Sequence, residues 1–163
     1  MAKPPRDYTS FGSNTYFITA GTWGNRSLFQ TERMATLLIN TLLLYRSERK
    51  YLLHEFVVMP NHLHLLISPI ESLARAMQFI KGGFSYRAKK DLGVNLEIWE
   101  RGYVEHRVRD ARDYEHHGEY IRQNPARAKL VERPEDYAYS YVRYTTSLDA
   151  CPPGLKPPSK LIA

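Results

Sequence analysis

Apolar and polar residues alternate along this chain with two periods, one typical of strands and one typical of helices. Runs rich in aromatic and β-branched residues predict four strands, over 14–20, 52–59, 62–68 and 99–108. Apolar positions that recur every three or four residues predict three helices, over 31–50, 72–90 and 110–124. The elements before the third helix follow the order β-α-β-β-α-β.

Turn and capping residues mark the ends of several predicted elements. Pro60-Asn61 suits a tight turn between the second and third strands, which then form a hairpin. Asp110 is expected to cap the third helix. Pro125 is expected to end that helix at Asn124, because proline lacks the amide hydrogen that a helix needs.

The element order, with antiparallel pairing, predicts an α+β fold. We expect a ferredoxin-like β-α-β-β-α-β sandwich with an antiparallel central sheet, followed by a C-terminal helix that carries Tyr120. A chain of 163 residues suits a single core, so we expect one domain over residues 1–150. The Pro-rich segment 151–163 is expected to be a flexible tail.

The composition of the chain indicates which chemical class of partner it binds. The chain has 43% hydrophobic and 25% charged residues, as ordinary soluble proteins do. Its net charge of +6 favours a polyanionic partner such as a nucleic acid. The apolar run after Thr36 is interrupted by Asn40 and Arg46, so no membrane span is expected. The opening MAKPPRDY lacks an apolar secretory core, which leads us to expect a cytoplasmic protein.

Two histidines in the third predicted strand form the strongest candidate for chemistry. His62 and His64 flank Leu63, and successive side chains of a strand point to opposite faces, so both imidazoles are expected on one face. Two neutral nitrogen donors at short range make half of a metal site. The alternative is that the pair is partly buried polar packing, which is the commoner role of such residues taken alone.

A tyrosine and an asparagine on the third predicted helix supply the remaining parts. Tyr120 and Asn124 are four residues apart and therefore share a helix face. Packing of that face over the histidine pair would bring a phenol and an amide oxygen to the imidazoles. Two nitrogens and one oxygen, with positions left open, are typical of a catalytic divalent-metal site. The alternative is that Tyr120, one of 12 tyrosines, only packs.

Basic residues form the candidate DNA-binding surface. Each of them alone is compatible with a solvated surface charge, whereas together they could follow a phosphate backbone. The candidates are Lys81, Arg87, Lys89, Lys90, Arg101, Arg107, Arg109, Arg122 and Arg127.

Four segments together resemble one family of enzymes. VVMPNHLHLLI resembles the metal-binding strand of the HUH single-tyrosine transposases, and EYIRQNPARAKLVE resembles the tyrosine helix of their REP-associated branch. FIKGGFSYRAKK and IWERGYVEHRVR, between them, are also similar to that branch, so the resemblance extends over most of residues 14–144.

The resemblance implies a fold, a reaction and a role for each residue. It implies cleavage and joining of single-stranded DNA near hairpin-forming repeats, through a covalent 5′-phosphotyrosine, with a divalent metal that we expect to be Mg²⁺ or Mn²⁺. Tyr120 would be the nucleophile, and His62 and His64 would be metal ligands. Asn124 would be the third ligand, where insertion-sequence relatives usually carry glutamine. Relatives act as monomers or as homodimers, and both remain open here.

Two other functions remain compatible with the sequence. A catalytically silent protein of this fold would bind DNA or RNA hairpins without forming an adduct. A metal-dependent phosphohydrolase would use water, and its cleavage would survive loss of the Tyr120 hydroxyl.

Overall fold

A computed structural model describes residues 14–157 of the protein. Its strands are β1 (Tyr16–Gly21), β2 (Tyr51–Met59), β3 (His62–Pro69) and β4 (Val104–Arg107). Its helices are α1 (Glu32–Ser47), α2 (Leu73–Leu92) and α3 (Ala111–Arg127). Short 3-10 turns occupy several of the connections.

The four strands form one antiparallel sheet in the order β2-β3-β1-β4. The predicted ferredoxin-like α+β fold, with its antiparallel sheet and a tyrosine-bearing helix after it, is confirmed. The predicted hairpin between the second and third strands is also present, as β2 and β3.

The helices cover opposite faces of the sheet. On one face, Leu63 and Leu65 of β3 join a core with residues of α1 and α2. On the other face, Leu66 of β3 joins a second core with Tyr114 and Ile121 of α3. Because successive side chains of β3 point to opposite faces of the sheet, Leu66 lies on the same face as His62 and His64. The sheet therefore presents both histidines to the layer that contains α3.

The end of α3 and the extent of β4 differ from the predictions. We expected the helix to stop at Pro125, but it continues through Pro125 to Arg127. Pro125 is buried in the last turn, and the Ala128 amide donates to the Asn124 carbonyl at 3.0 Å, so packing and this bond maintain the helix. The fourth strand is shorter than predicted, since Trp99 forms only an isolated bridge with Thr22.

The chain after α3 covers the free edge of β2. The Val58 amide donates to the Tyr139 carbonyl at 2.9 Å, and the Tyr137 hydroxyl donates to the Val58 carbonyl at 2.6 Å. Such cover blocks pairing with another chain at that edge. The Ala111 amide donates to the Lys156 carbonyl at 2.9 Å, so part of the segment after residue 150 contacts the start of α3. The division at residue 150 stays a prediction.

No helix in the described part of the chain has the length and apolar character that spanning a bilayer requires.

Candidate active site

The two histidines of β3 lie side by side on the sheet face below α3. Their ring centroids are 4.6 Å apart, and the rings are nearly perpendicular. His64 stands opposite Thr19 of β1 on one side and opposite Val57 of β2 on the other, so it occupies the centre of the sheet. His62 lies at the start of β3, where the hairpin turn ends.

Each histidine has one ring nitrogen occupied by a neighbour. His64 Nδ1 is hydrogen bonded to the Thr19 hydroxyl at 2.9 Å, and His62 Nδ1 donates to the Asn61 amide oxygen at 2.6 Å. Within residues 14–157, His64 Nε2 is buried and has no hydrogen-bond partner. A buried polar atom without a partner is costly unless a ligand satisfies it.

Electrostatics keep both imidazoles neutral. Burial, with a smaller contribution from His62, lowers the pKa of His64 to about 3. Burial also lowers the pKa of His62. Neutral imidazole is the form that binds a metal ion, and a hydrogen bond at one nitrogen fixes the orientation of the other. The histidine pair therefore fits a divalent metal.

Tyr120 of α3 lies over His64, the buried member of this pair. Its ring centroid is 5.3 Å from that of His64, in an edge-on arrangement, and its side chain is 37% exposed. The Arg127 guanidinium carbon lies 5.8 Å from the centre of the Tyr120 ring. The phenol is thus close to the histidines and also open to a large substrate.

Buried residues of the same helix hold Tyr120 in this position. The Asp110 carboxylate accepts from the Asp113 amide at 2.8 Å, which confirms the predicted N-cap. Tyr114 and Ile121 are buried in the second core, on the side of α3 that faces the sheet. Burial raises the pKa of Tyr114, so this neighbouring tyrosine is a poor candidate for a nucleophile.

Asn124 follows Tyr120 by one helical turn. It is half-buried, and within residues 14–157 its side-chain amide makes no hydrogen bond, so its oxygen is available as a ligand. The structure thus brings His62, His64 and Tyr120 together and puts Asn124 next along the same helix.

The predicted DNA-binding residues do not share one surface. Those of α2 (Lys81, Arg87, Lys89 and Lys90) lie in the layer on the opposite side of the sheet from Tyr120. Lys81 Nζ donates to the carbonyls of Glu100 and Gly102, at 2.8 and 2.7 Å, so its ammonium group is engaged in hydrogen bonds within the protein. Only Arg122 and Arg127 belong to α3, and Arg122 is paired with Glu119 at 3.1 Å.

Two residues that meet between the sheet and the helix, Glu55 of β2 and Gly118 of α3, were not predicted from the sequence as parts of the site. A Cβ added to Gly118 would lie 2.6 Å from Glu55 Oε2, so α3 approaches β2 closely because residue 118 has no side chain. Burial, together with the charge of Glu119, raises the pKa of Glu55 to about 7. The signals in the sequence were a lone acid in the apolar run LLHEFVV and a glycine two residues before the tyrosine.

Phe17 of β1 was also missed as a site residue. Its ring lies 5.3 Å from that of His64, 4.6 Å from that of His117 and 5.9 Å from that of Tyr120. The sequence marked it only as one of the aromatic residues of a strand. The Phe17 ring therefore packs between His64 of β3 and the side chains of His117 and Tyr120 on α3.

This fold and this arrangement define a class of protein. The model of the family described as "Transposase IS200 like" matches residues 14–124, a range that includes both histidines, Tyr120 and Asn124. The chain belongs to the IS200-like transposase family.

Two similar proteins indicate which branch of this family the chain resembles. A REP-associated tyrosine transposase of Escherichia coli K12 is 27% identical in an alignment of 135 residues that covers 77% of this chain and 78% of that protein. An uncharacterized protein of Haemophilus influenzae Rd is 34% identical in an alignment of 95 residues that covers 44% of this chain and 52% of that protein. The resemblance to the REP-associated branch is confirmed.

A solved structure shares the fold. It is the structure of a REP-associated tyrosine transposase bound to a REP hairpin, with a TM-score of 0.69 and 24% identity. The match covers 96% of this chain and 89% of the other.

Proposed function

We propose that this protein cuts and rejoins single-stranded DNA near hairpin-forming repeats, with Tyr120 as the nucleophile. The observation that carries the proposal is the position of the Tyr120 ring, 5.3 Å from the ring of the buried His64. A phenol, a neutral imidazole pair and an open side toward solvent are the parts that this reaction needs.

The proposed reaction conserves the phosphodiester energy. The Tyr120 oxygen loses its proton and attacks the phosphorus, while the bond from phosphorus to the 3′ oxygen of the leaving strand breaks. The 5′ phosphate then stays on the tyrosine, and the leaving strand takes a proton to end in a 3′ hydroxyl. Attack by the 3′ hydroxyl of a second strand reverses the step and joins the strands without ATP.

The residues around Tyr120 have separate proposed roles. His62 and His64, with Asn124 as third ligand, would hold Mg²⁺ or Mn²⁺. The metal, when bound, polarises the scissile phosphate and stabilises the charge that develops on it. Thr19 orients the His64 ring through its 2.9 Å hydrogen bond, and Phe17 supports the ring from one side.

The proposed partner is hairpin DNA with a single-stranded flank. The net charge of +6 supports a polyanionic partner, and a structurally similar transposase was solved with a REP hairpin. Arg127, beside the Tyr120 ring, is the cation best situated to meet the scissile phosphate. We expect the protein to act in the cytoplasm, bound to DNA, as a monomer or a homodimer.

Formation of a covalent adduct tests this proposal. Hairpin oligonucleotides from the repeats that flank the gene would be incubated with protein and Mn²⁺ or Mg²⁺, and resolved on a denaturing gel. We expect an adduct that is lost with EDTA, in Tyr120→Phe and in His64→Ala, while both variants still bind the hairpin.

The two other candidate functions give different results. Cleavage that survives in Tyr120→Phe would indicate a hydrolase that uses water. Hairpin binding without cleavage or adduct, with either metal, would indicate a silent binding protein.

A further inference from the structure

A second group of ligand-type side chains lies between β4 and α3. His106 extends from β4, opposite Phe17 of β1, and Asp113 and His117 lie one turn apart on α3. Their ligand atoms all lie within 4.8 Å of one another. All three side chains are half-buried, at 34%, 19% and 16% exposure for His106, Asp113 and His117, so a small ion could reach them from solvent.

One carboxylate joins the two imidazoles. His106 Nε2 is 2.8 Å from Asp113 Oδ2, and His117 Nδ1 is 3.1 Å from Asp113 Oδ1. The two rings are stacked, with centroids 4.6 Å apart and an angle of 26° between their planes. His117 Nδ1 also lies 2.8 Å from the Asp113 backbone carbonyl oxygen, and Asp113 Oδ2 also accepts from the Arg109 amide at 2.9 Å. The nitrogens of two histidines from different elements thus lie close to one carboxylate, and a bound ion would replace some of these hydrogen bonds.

These spacings suit a tetrahedral metal ion. Zinc lies about 2.0–2.1 Å from histidine nitrogen and carboxylate oxygen, so neighbouring ligand atoms of a tetrahedral site are about 3.3 Å apart. The two histidine–carboxylate distances, 2.8 and 3.1 Å, are shorter than this, and all three ligand atoms lie within 4.8 Å of one another, so a bound ion would require the side chains to adjust around it. Two imidazoles and one carboxylate are also a donor set that Zn²⁺, Co²⁺ and similar transition metals favour.

We propose that His106, Asp113 and His117 form a second divalent-metal site, for an ion of the Zn²⁺ or Co²⁺ type, distinct from the His62–His64 pair. The ion takes three protein ligands, and water completes its coordination. It links the edge strand β4 to α3, the helix that carries Tyr120.

The position of the cluster indicates what the ion does. His117 lies three residues before Tyr120 on the same helix, and its ring contacts Phe17 at 4.6 Å. Phe17 in turn contacts the rings of His64 and Tyr120. A metal at the cluster fixes the start of α3 on the sheet and so holds the tyrosine at its distance from His64.

Cobalt titration of a variant without the first histidine pair tests this site. In His62→Ala/His64→Ala, Co²⁺ binding is followed by calorimetry and by the visible absorption of the ion. We expect one bound ion per chain, with a four-coordinate spectrum and a higher melting temperature. Adding His106→Gln or His117→Gln to this background is expected to weaken binding by at least about tenfold, because each removes a direct ligand.

Two further variants separate ligand loss from damage to the fold. His116→Gln, on the neighbouring exposed histidine, is expected to bind cobalt like its parent. Asp113→Asn keeps the shape of the side chain but loses the charge, and is expected to lose cobalt binding while its circular dichroism stays unchanged. The proposal is overturned if the His62→Ala/His64→Ala protein binds no cobalt, or if its bound cobalt is unaffected by the changes at His106, Asp113 and His117.

Discussion

Thr19 and His64 are joined by a hydrogen bond of 2.9 Å across β1 and β3, at positions that face each other in the sheet. The bond occupies Nδ1 of the imidazole and leaves the buried Nε2 as the atom that can bind a ligand. Because a ring that is held at one nitrogen has a fixed direction at the other, Thr19 prepares His64 for metal binding.

Thr19→Val removes this hydrogen bond and keeps the shape of the side chain. We expect the affinity for Mn²⁺ to fall by about 10–100-fold, as it does when a partner of a ligating histidine is lost. Thr19→Ser keeps the hydroxyl and is expected to bind like the wild type. Calorimetric titration with Mn²⁺ measures both, and equal affinities for all three proteins would show that Thr19 has no such role.

Gly118→Ala is expected to disturb the packing of α3 against the sheet. The new Cβ would lie 2.6 Å from Glu55 Oε2, so the helix or the acid must move, at a cost of about 1–3 kcal/mol in the free energy of unfolding, which the helix preference of alanine, about 1 kcal/mol, offsets in part. The same change moves Tyr120 relative to His64 and is expected to slow adduct formation. Gly82→Ala is the control, since its Cβ meets nothing within 4 Å and alanine favours the helix. Urea unfolding compares the two variants, and a Gly118→Ala protein as stable as Gly82→Ala would contradict this packing.

Glu55 is expected to make stability fall as pH rises. Burial raises its pKa in the folded protein from 4.5 to about 7, so between these values the folded state binds more protons than the unfolded state. The free energy of unfolding therefore decreases as pH rises through this window, by an amount on the order of 2 kcal/mol. Glu55→Gln removes this dependence. Urea unfolding of both proteins from about pH 5 to about pH 8 measures the difference, and parallel profiles would contradict it.

The pattern of the sequence was sufficient for most of the fold, whereas the roles of His62, His64, Tyr120 and Asn124 stay predictions. The strand period puts His62 and His64 on one face, and the helix period puts Tyr120 and Asn124 on another. The position of Tyr120 over His64 depends on the close approach of α3 to the sheet, which Gly118 permits. Local spacing does not contain this information.

Long-range pairing explains what the sequence did not reveal. His106 reaches Asp113 and His117 only because β4 pairs with β1 and α3 crosses the same face of the sheet. The error at Pro125 has the same origin, because a local rule about proline does not take into account that Pro125 is buried by the rest of the fold.

Arg127→Ala is expected to weaken binding of hairpin DNA with a single-stranded flank. Loss of one phosphate contact reduces the salt dependence of log Kd by about 0.7 for a single strand. Arg133→Ala is the control, since Arg133 is paired with Asp136 at 2.9 Å. Fluorescence anisotropy over a range of salt concentrations compares the two, and identical slopes for Arg127→Ala and wild type would remove Arg127 from the DNA surface.

The position of the covalent bond tests the proposed mechanism most directly. A trypsin digest of the adduct yields the peptide 113–122, which contains both Tyr114 and Tyr120, so fragment ions must distinguish them. We predict that the added 5′-phosphonucleotide lies on Tyr120, the exposed tyrosine over His64. A modification on Tyr114 or outside this peptide, or an adduct that still forms in Tyr120→Phe, would contradict the assignment of Tyr120 as the nucleophile.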